Sequence, residues 1–335
     1  MNKTSSKTLF LSMTIMSTLM VLSSSNWITI WMGMEINIMS FIPLMYKSKN
    51  SLLSQSSMMY FLTQSMASMI FIIMILVNMY GWNNLYKNTD MNMIIMLSMM
   101  MKLGMPPFHM WFPEMMNKMN WDMCMMLMTW QKIAPMYCVS LSIQNNMINM
   151  SFIALSTLSG AILGLNHTSI RKIMSYSSMN HMGWIMSCIL MYKKLWMMYM
   201  ILYSVMMIMF SLCMKKYNIM YINQLNIKYI PVMDKINMLI MMLSIGGIPP
   251  FLGFLPKWIA MEYMIMSNEI MLLLMMTMSS LITLSYYLRM ISYLSMFMSH
   301  SQKWNFLSLN NKKNNMYMFY INMILPMIML LMNFM

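Results

Sequence analysis

Acidic residues are what this chain has least of: Asp and Glu together number 7 in 335 residues, against 21 Lys and Arg. So few carboxylates exclude an all-protein cage for a divalent cation and leave little for a hydrolase to work with. Charge of either sign is scarce, at 8% of residues, where a soluble globular domain carries about a quarter. Too little polar surface exists to cover a water-soluble core. The four cysteines, Cys124, Cys138, Cys188 and Cys213, lie singly in apolar runs, with no CxxC spacing, and read as small buried hydrophobes. The four histidines are scattered, so no metal-ligand pattern forms. There is no glycine-rich phosphate loop and no Ser–His–Asp candidate.

What is present is apolar. Hydrophobic residues make up 60% of the chain, mean hydropathy is +0.59, and runs of about 20 apolar residues recur, the length that crosses a bilayer as a helix. The fold class is all-α, a polytopic transmembrane helix bundle of about 11 spans. The spans fall near residues 7–24, 27–46, 58–80, 90–117, 121–142, 147–165, 170–191, 194–215, 234–266, 268–297 and 316–335. No cleavable signal is expected, because the first apolar run continues into a full span without a small-residue cleavage site. Methionine is abundant, at 66 residues. That fits an A+T-rich genome whose code reads an extra codon as Met, as in animal mitochondria.

A net charge of +14 would suggest a nucleic-acid partner in a soluble protein. Here the cations sort by side instead, and no nucleic acid is expected. With these spans the loop charges Lys3, Lys7, Lys47, Lys49, Lys118, Arg171, Lys172, Lys215, Lys216, Lys228, Lys235, Arg289, Lys303, Lys312 and Lys313 share one side, while the other carries Lys87, Lys193 and Lys194. The positive-inside rule places the N-terminus on the cytoplasm-equivalent side, the matrix of a mitochondrion, and the C-terminus opposite.

Two spans are interrupted. Residues 102–114 read KLGMPPFHMWFPE, and residues 246–258 read GGIPPFLGFLPKW. Gly104, Pro106, Pro107, Phe108 and Pro113 match Gly247, Pro249, Pro250, Phe251 and Pro256 position for position. Proline removes a backbone donor and clashes with the preceding turn. In lipid such a defect survives only where protein or water satisfies the freed carbonyls. Paired interruptions of this kind point to a transport site.

Charges remain inside the spans. Lys102 precedes the first break, Lys257 follows the second, Lys132 lies three residues before Pro135, and Glu35 is the one clearly intramembrane acid. An isolated charge at that depth costs about 3 kcal/mol on insertion scales. Desolvation favours the neutral amine and a nearby carboxylate the ammonium, so a lysine under both can gain and lose a proton. Glu35 near Lys102 would form such a pair, with Lys132 and Lys257 as further proton sites. The plainer reading is that these groups snorkel or hold helices together. His181 shares its span with Ser175, Ser177, Ser178 and Asn180, and suits either a structural hydrogen bond or a proton relay.

Taken in order, KLGMPPFHMWFPE, TWQKIAP, RKIMSYSSMNHMGW and GGIPPFLGFLPKW, together with Glu35 in GMEIN, resemble the antiporter-like membrane-arm subunits of animal mitochondrial NADH:ubiquinone oxidoreductase, respiratory complex I. The family is similar to subunits of multi-subunit cation/proton antiporters. The resemblance implies one antiporter-like domain over 1–335, built from two inverted repeats, roughly 27–165 and 170–297, each with a broken helix, plus a C-terminal span. It implies that Glu35 and Lys102 form the first-half pair, that Lys132 connects, and that Lys257 serves the second half. His181 is a possible relay, although Asn180 stands where the family usually has a small apolar residue. It further implies proton translocation driven by electron transfer from NADH to ubiquinone in other subunits. NADH, FMN, iron–sulfur clusters and ubiquinone belong there, and this chain holds no cofactor. Expected partners are the other membrane-arm subunits, antiporter-like neighbours among them, and phospholipids, in the mitochondrial inner membrane. Two rivals are a separate cation/proton antiporter and a scaffold that only holds the arm together.

Overall fold

A computed structural model describes residues 2–46, 50–79, 88–226, 232–249 and 251–295. The span expected at 316–335 lies outside the described residues, as do Lys47, Lys49, Lys87, Lys228, Pro250, Lys303, Lys312 and Lys313. Within them the chain is helical apart from loops and one isolated bridge, Ser169 to Tyr221. In order, the helices are α1 (Asn2–Ser23), α2 (Trp27–Met45), α3 (Ser51–Met79), α4 (Asn88–Leu103), α5 (Trp111–Lys118), α6 (Trp121–Met128), α7 (Trp130–Ser142), α8 (Met147–Gly164), α9 (Ile170–Met191), α10 (Leu195–Lys216), α11 (Val232–Gly246), α12 (Phe254–Met266) and α13 (Ile270–Ser295). Six of these described helices contain a stretch long and apolar enough to cross a membrane: Ser5–Ser23, Trp27–Met45, Ser51–Met79, Met147–Gly164, Leu195–Lys216 and Ile270–Leu294. This is an all-helical membrane fold.

The hydroxyls in these helices are absorbed locally. Ser56 donates to Leu53 O at 2.8 Å, Ser98 to Ile95 O at 2.6 Å, and Ser177 to Met174 O at 2.9 Å. Bonding back to the preceding turn removes the cost of an unpaired hydroxyl where no water is available. The same device lets α9 sit at the centre of its unit. It is too polar for a lipid-facing helix, yet Ser175, Ser177, Ser178, Asn180, His181 and Ser187 are all buried.

The chain divides into two units, Met1–Phe152 and Ile153–Met335, with the boundary inside α8. In the first, α2 packs on α1 and α3, α4 on α3 and α7, and α5 on α3. In the second, α9 packs on α10, α12 and α13, and α11 packs between α10 and α13. One end of the second unit is tied by polar contacts. Arg289 donates to Leu165 O at 2.6 Å and His167 O at 2.8 Å, carbonyls just past the end of α8. His167, in the loop after α8, stacks on Tyr176 with ring centroids 5.2 Å apart. Lys216 pairs with Asp234 at 2.8 Å, and Tyr217 also donates to Asp234. Burial, followed by Asp234, pushes the Tyr217 hydroxyl up from its ordinary value, so it stays a donor.

Both proline-containing stretches stop a helix in the same way. At the end of α4, Gly104 N–H bonds to Met101 O at 3.3 Å and Met105 N–H to Met100 O at 3.0 Å. At the end of α11, Gly247 N–H bonds to Ser244 O at 3.0 Å and Ile248 N–H to Leu243 O at 3.3 Å. This is the Schellman pattern, which needs a left-handed residue after the helix and so favours glycine. The φ values are +69° at Gly104 and +79° at Gly247. In each copy the phenylalanine then closes a turn at 2.9 Å, Phe108 onto Met105 O and Phe251 onto Ile248 O.

The expected span 121–142 differs in detail. Its interruption falls at Thr129 (φ −110°, ψ −73°), between α6 and α7, while Pro135 is carried inside α7. Thr129 Oγ1 donates to Met125 O at 2.8 Å and shares that carbonyl with Thr129 N–H at 3.1 Å, a back-bond that can bend a helix.

Candidate functional site

In the first unit the structure brings Lys102, Lys132 and Glu35 into one region. Lys102 occupies the last turn of α4, immediately before the break, and is buried. Its carbonyl is one that a helix end leaves without an intrahelical partner, and Gln64 Nε2 of α3 donates to it at 3.0 Å. The Lys102 ammonium lies 3.7 Å from Met34 Sδ on α2 and 6.0 Å from the Phe71 ring centroid. Glu35, the neighbour of Met34, is half-buried and close enough for its charge to act on Lys102. No ion pair joins the two.

Lys132 lies in the first turns of α7 and is 3% exposed. Its ammonium sits 5.0 Å from the Phe112 ring centroid, a cation–π distance. Phe112 is set by the break itself: a Cβ on Gly104 would come within 2.8 Å of Phe112 Cβ. The turn that ends α4 therefore places the ring that covers Lys132.

A cavity of ≈ 30 Å³ touches both lysines. Its wall includes Asn37, Tyr60, Gln64 and Gln131, all buried. Gln131 Nε2 donates to Asn37 Oδ1 at 3.0 Å, and Tyr60 OH approaches Gln131 Oε1 at 3.4 Å. These four side chains carried no periodic or motif signal in the sequence. The only hint was Gln131 standing beside Lys132 in TWQK. Replacing Gln64 with leucine strands the Lys102 carbonyl, with an expected cost of ~1–3 kcal/mol. This is measured as a lower thermal midpoint of the assembled protein with both lysines intact.

The second unit holds Lys257 and His181. Lys257, in the first turn of α12, is 4% exposed and donates to Gly246 O at 2.9 Å, the carbonyl at the end of α11. A Cβ on Gly247 would lie 2.8 Å from Lys257 Nζ, so the ammonium rests against the glycine of the break. A cation at a helix C-terminus is favoured by the dipole and by the unpaired carbonyls there. His181, on α9, has Nδ1 3.1 Å from Tyr199 OH and its ring 5.2 Å from that of Tyr203. Tyr199 and Tyr203, both buried on α10, were not anticipated from sequence. Arg171 and Lys235 are further buried cations, read from sequence as loop charges. Among the described residues no group of three or more His, Cys, Asp or Glu comes together to hold a metal ion.

The arrangement gives each unit a helix break with a buried ammonium beside it. In the first, a second lysine lines the same small cavity, whose largely apolar wall carries Asn37, Tyr60, Gln64 and Gln131. Such a site can hold and release protons.

Comparison with known proteins adds four findings. The family model described as NADH:quinone oxidoreductase/Mrp antiporter, TM, matches residues 24–283. NADH-ubiquinone oxidoreductase chain 2 of Anopheles gambiae is 42% identical over 316 residues, 93% of this chain and 92% of the relative. Among solved structures, respiratory complex I from Thermus thermophilus contains a chain that superposes with a TM-score of 0.82 at 16% identity, covering 96% of this chain and 77% of that one. A chain of the Mrp complex from Dietzia sp. DQ12-45-1b gives 0.76 at 14% identity, covering 90% and 62%. At those identities the structural likeness speaks for the fold alone.

Proposed function

Because the chain belongs to the NADH:quinone oxidoreductase/Mrp antiporter transmembrane family, we propose that it is a proton-translocating membrane-arm subunit of respiratory complex I. Electron transfer from NADH to ubiquinone, carried out by cofactors in other subunits, supplies the energy. The supporting observation is the pair of matching helix breaks, each with a lysine nine-tenths or more buried beside it. Burying an ammonium in lipid is costly, and the cost is repaid in function where the group can change its charge.

In this reading Glu35 and Lys102 form the first-half site. An electrostatic change at Glu35 shifts the proton affinity of Lys102 without breaking a contact. Lys132 takes the proton onward, and Lys257 serves the second half, where its bond to Gly246 couples its charge to the end of α11. His181, on Tyr199, is a candidate relay. The two breaks mark two inverted repeats of one antiporter-like domain, and each α4/α5 and α11/α12 pair is one broken span. The protein resides in the mitochondrial inner membrane with its N-terminus in the matrix and its C-terminus in the intermembrane space, among other membrane-arm subunits and phospholipid.

Lys102→Met in the intact complex tests this. Coupled turnover is expected to slow at least about tenfold, equivalent to ~1.4 kcal/mol on the barrier, with fewer protons moved per electron. An unchanged proton yield in a normally assembled complex would favour a scaffold. Sodium exchange by the purified chain in liposomes, without an electron donor, would favour a separate antiporter.

A further inference from the structure

We propose that Gln131, held by Asn37 and Tyr60, is a positioning residue that orients the polar wall along which protons pass between Lys102 and Lys132. The inference rests on the proton-translocating reading and assigns a role to side chains which that reading does not require.

The geometry runs as a continuous path within the first unit. Met34 and Asn37 are three residues apart on α2 and so share a face. Met34 Sδ is the acceptor nearest Lys102, and Asn37 Oδ1 accepts from Gln131. Gln131 is the chain neighbour of Lys132. One face of α2 thus leads from the first lysine to the side chain beside the second, along a cavity that both lysines line. At ≈ 30 Å³ the cavity accommodates roughly two water molecules.

The hydrogen bonds are unequal in a way that suits a proton path. Gln131 to Asn37, at 3.0 Å, is of ordinary length and fixes the amide so that its carbonyl oxygen faces Tyr60. Tyr60 to Gln131, at 3.4 Å, is far longer than the usual O–H···O distance of about 2.7–2.8 Å. A hydroxyl held that loosely beside a cavity can turn from the amide to a water and back. A purely structural link between α2 and α7 needs only the Asn37–Gln131 bond; the buried Tyr60 hydroxyl adds nothing to it.

The transfer balances simply. The Lys102 ammonium gives up a proton and becomes an amine, and the Lys132 amine takes one up and becomes an ammonium. Water in the cavity carries the proton between them. The Gln131 amide stays neutral throughout. It holds the acceptor that keeps the water and the Tyr60 hydroxyl pointing along the path.

The test uses the intact complex with three variants, Gln131→Met, Tyr60→Phe and Lys102→Met. Assembly, protons per electron and the pH dependence of proton uptake are measured for each. Gln131→Met and Tyr60→Phe are expected to assemble, to lower the proton-coupled rate at least about threefold, and to shift its pH profile. Tyr60→Phe keeps the ring and removes only the hydroxyl, so it decides the matter if Gln131→Met does not assemble. Normal rate and pH profile in Tyr60→Phe, or in an assembled Gln131→Met, overturns the proposal. If Lys102→Met also leaves proton yield untouched, the proton-translocating reading fails with it. If Lys102→Met loses yield while the other two keep it, only the present inference fails.

Discussion

Lys257→Met is expected to stop proton passage through the second half of the protein while most of the complex still assembles. Two effects on stability oppose each other in this variant. Methionine removes a buried charge whose desolvation disfavours the folded state in lipid. It also removes the donor to Gly246 O, now at 2.9 Å, and a buried carbonyl left unpaired costs ~1–3 kcal/mol. Because the terms have opposite signs, the net change in assembly is smaller than the larger of the two. Transport has no such compensation, since a thioether carries no proton at any pH. Coupled turnover is expected to fall at least about tenfold, with an assembled fraction near normal on a native gel. An assembled Lys257→Met complex with full proton yield would remove Lys257 from the path.

The second large effect concerns the break itself. Gly253→Ala is expected to destabilise the second unit by about 3 kcal/mol or more, the upper range for forcing an atom into a filled site. The new Cβ would lie 1.7 Å from the carbonyl oxygen of Ser244. That oxygen cannot swing aside, because it belongs to the backbone and already accepts from Gly247 N–H at 3.0 Å. The start of α12 is thereby pressed onto the end of α11, and this close approach brings Lys257 to Gly246. Gly246→Ala is the control: its Cβ would meet only Tyr287 Cδ2 at 3.7 Å, an ordinary contact. Its expected effect stays within ~0.5 kcal/mol, as for substitutions that disturb no contact. The comparison is made by thermal midpoint of the purified complex. Equal stability of the two variants would contradict the packing described for this break.

What the sequence made legible were the features written in residues with few alternatives. Proline and glycine have narrow conformational roles, so the position-for-position match of 104–113 with 247–256 located the ends of α4 and α11 and the turns that follow. Lysines in apolar runs stand out by composition, and Lys102, Lys132 and Lys257 are all buried. What was not legible depended on neighbours distant in sequence. Gln64, Asn37, Tyr60 and Gln131 are ordinary polar residues in ordinary helices until α2, α3, α4 and α7 pack together. Nothing local in GFLPKW says that Lys257 turns back to Gly246, because that follows from the contact of Gly253 with Ser244. Thr129 was overshadowed by Pro135. Pro135 removes the N–H that would bond Gln131 O, yet α7 continues through it; the interruption falls instead at Thr129, whose hydroxyl bonds back to Met125 O, a contact that can bend a helix.

The claim on which the account depends is that buried lysines exchange protons during turnover. Infrared difference spectra of the intact complex, with and without NADH turnover and with isotopically labelled lysine, measure this directly. The account predicts paired bands of ammonium loss and amine gain, with part of the signal missing in Lys102→Met and another part in Lys257→Met. Difference spectra in which no lysine band changes on turnover, or in which both variants match the unaltered complex, would contradict it.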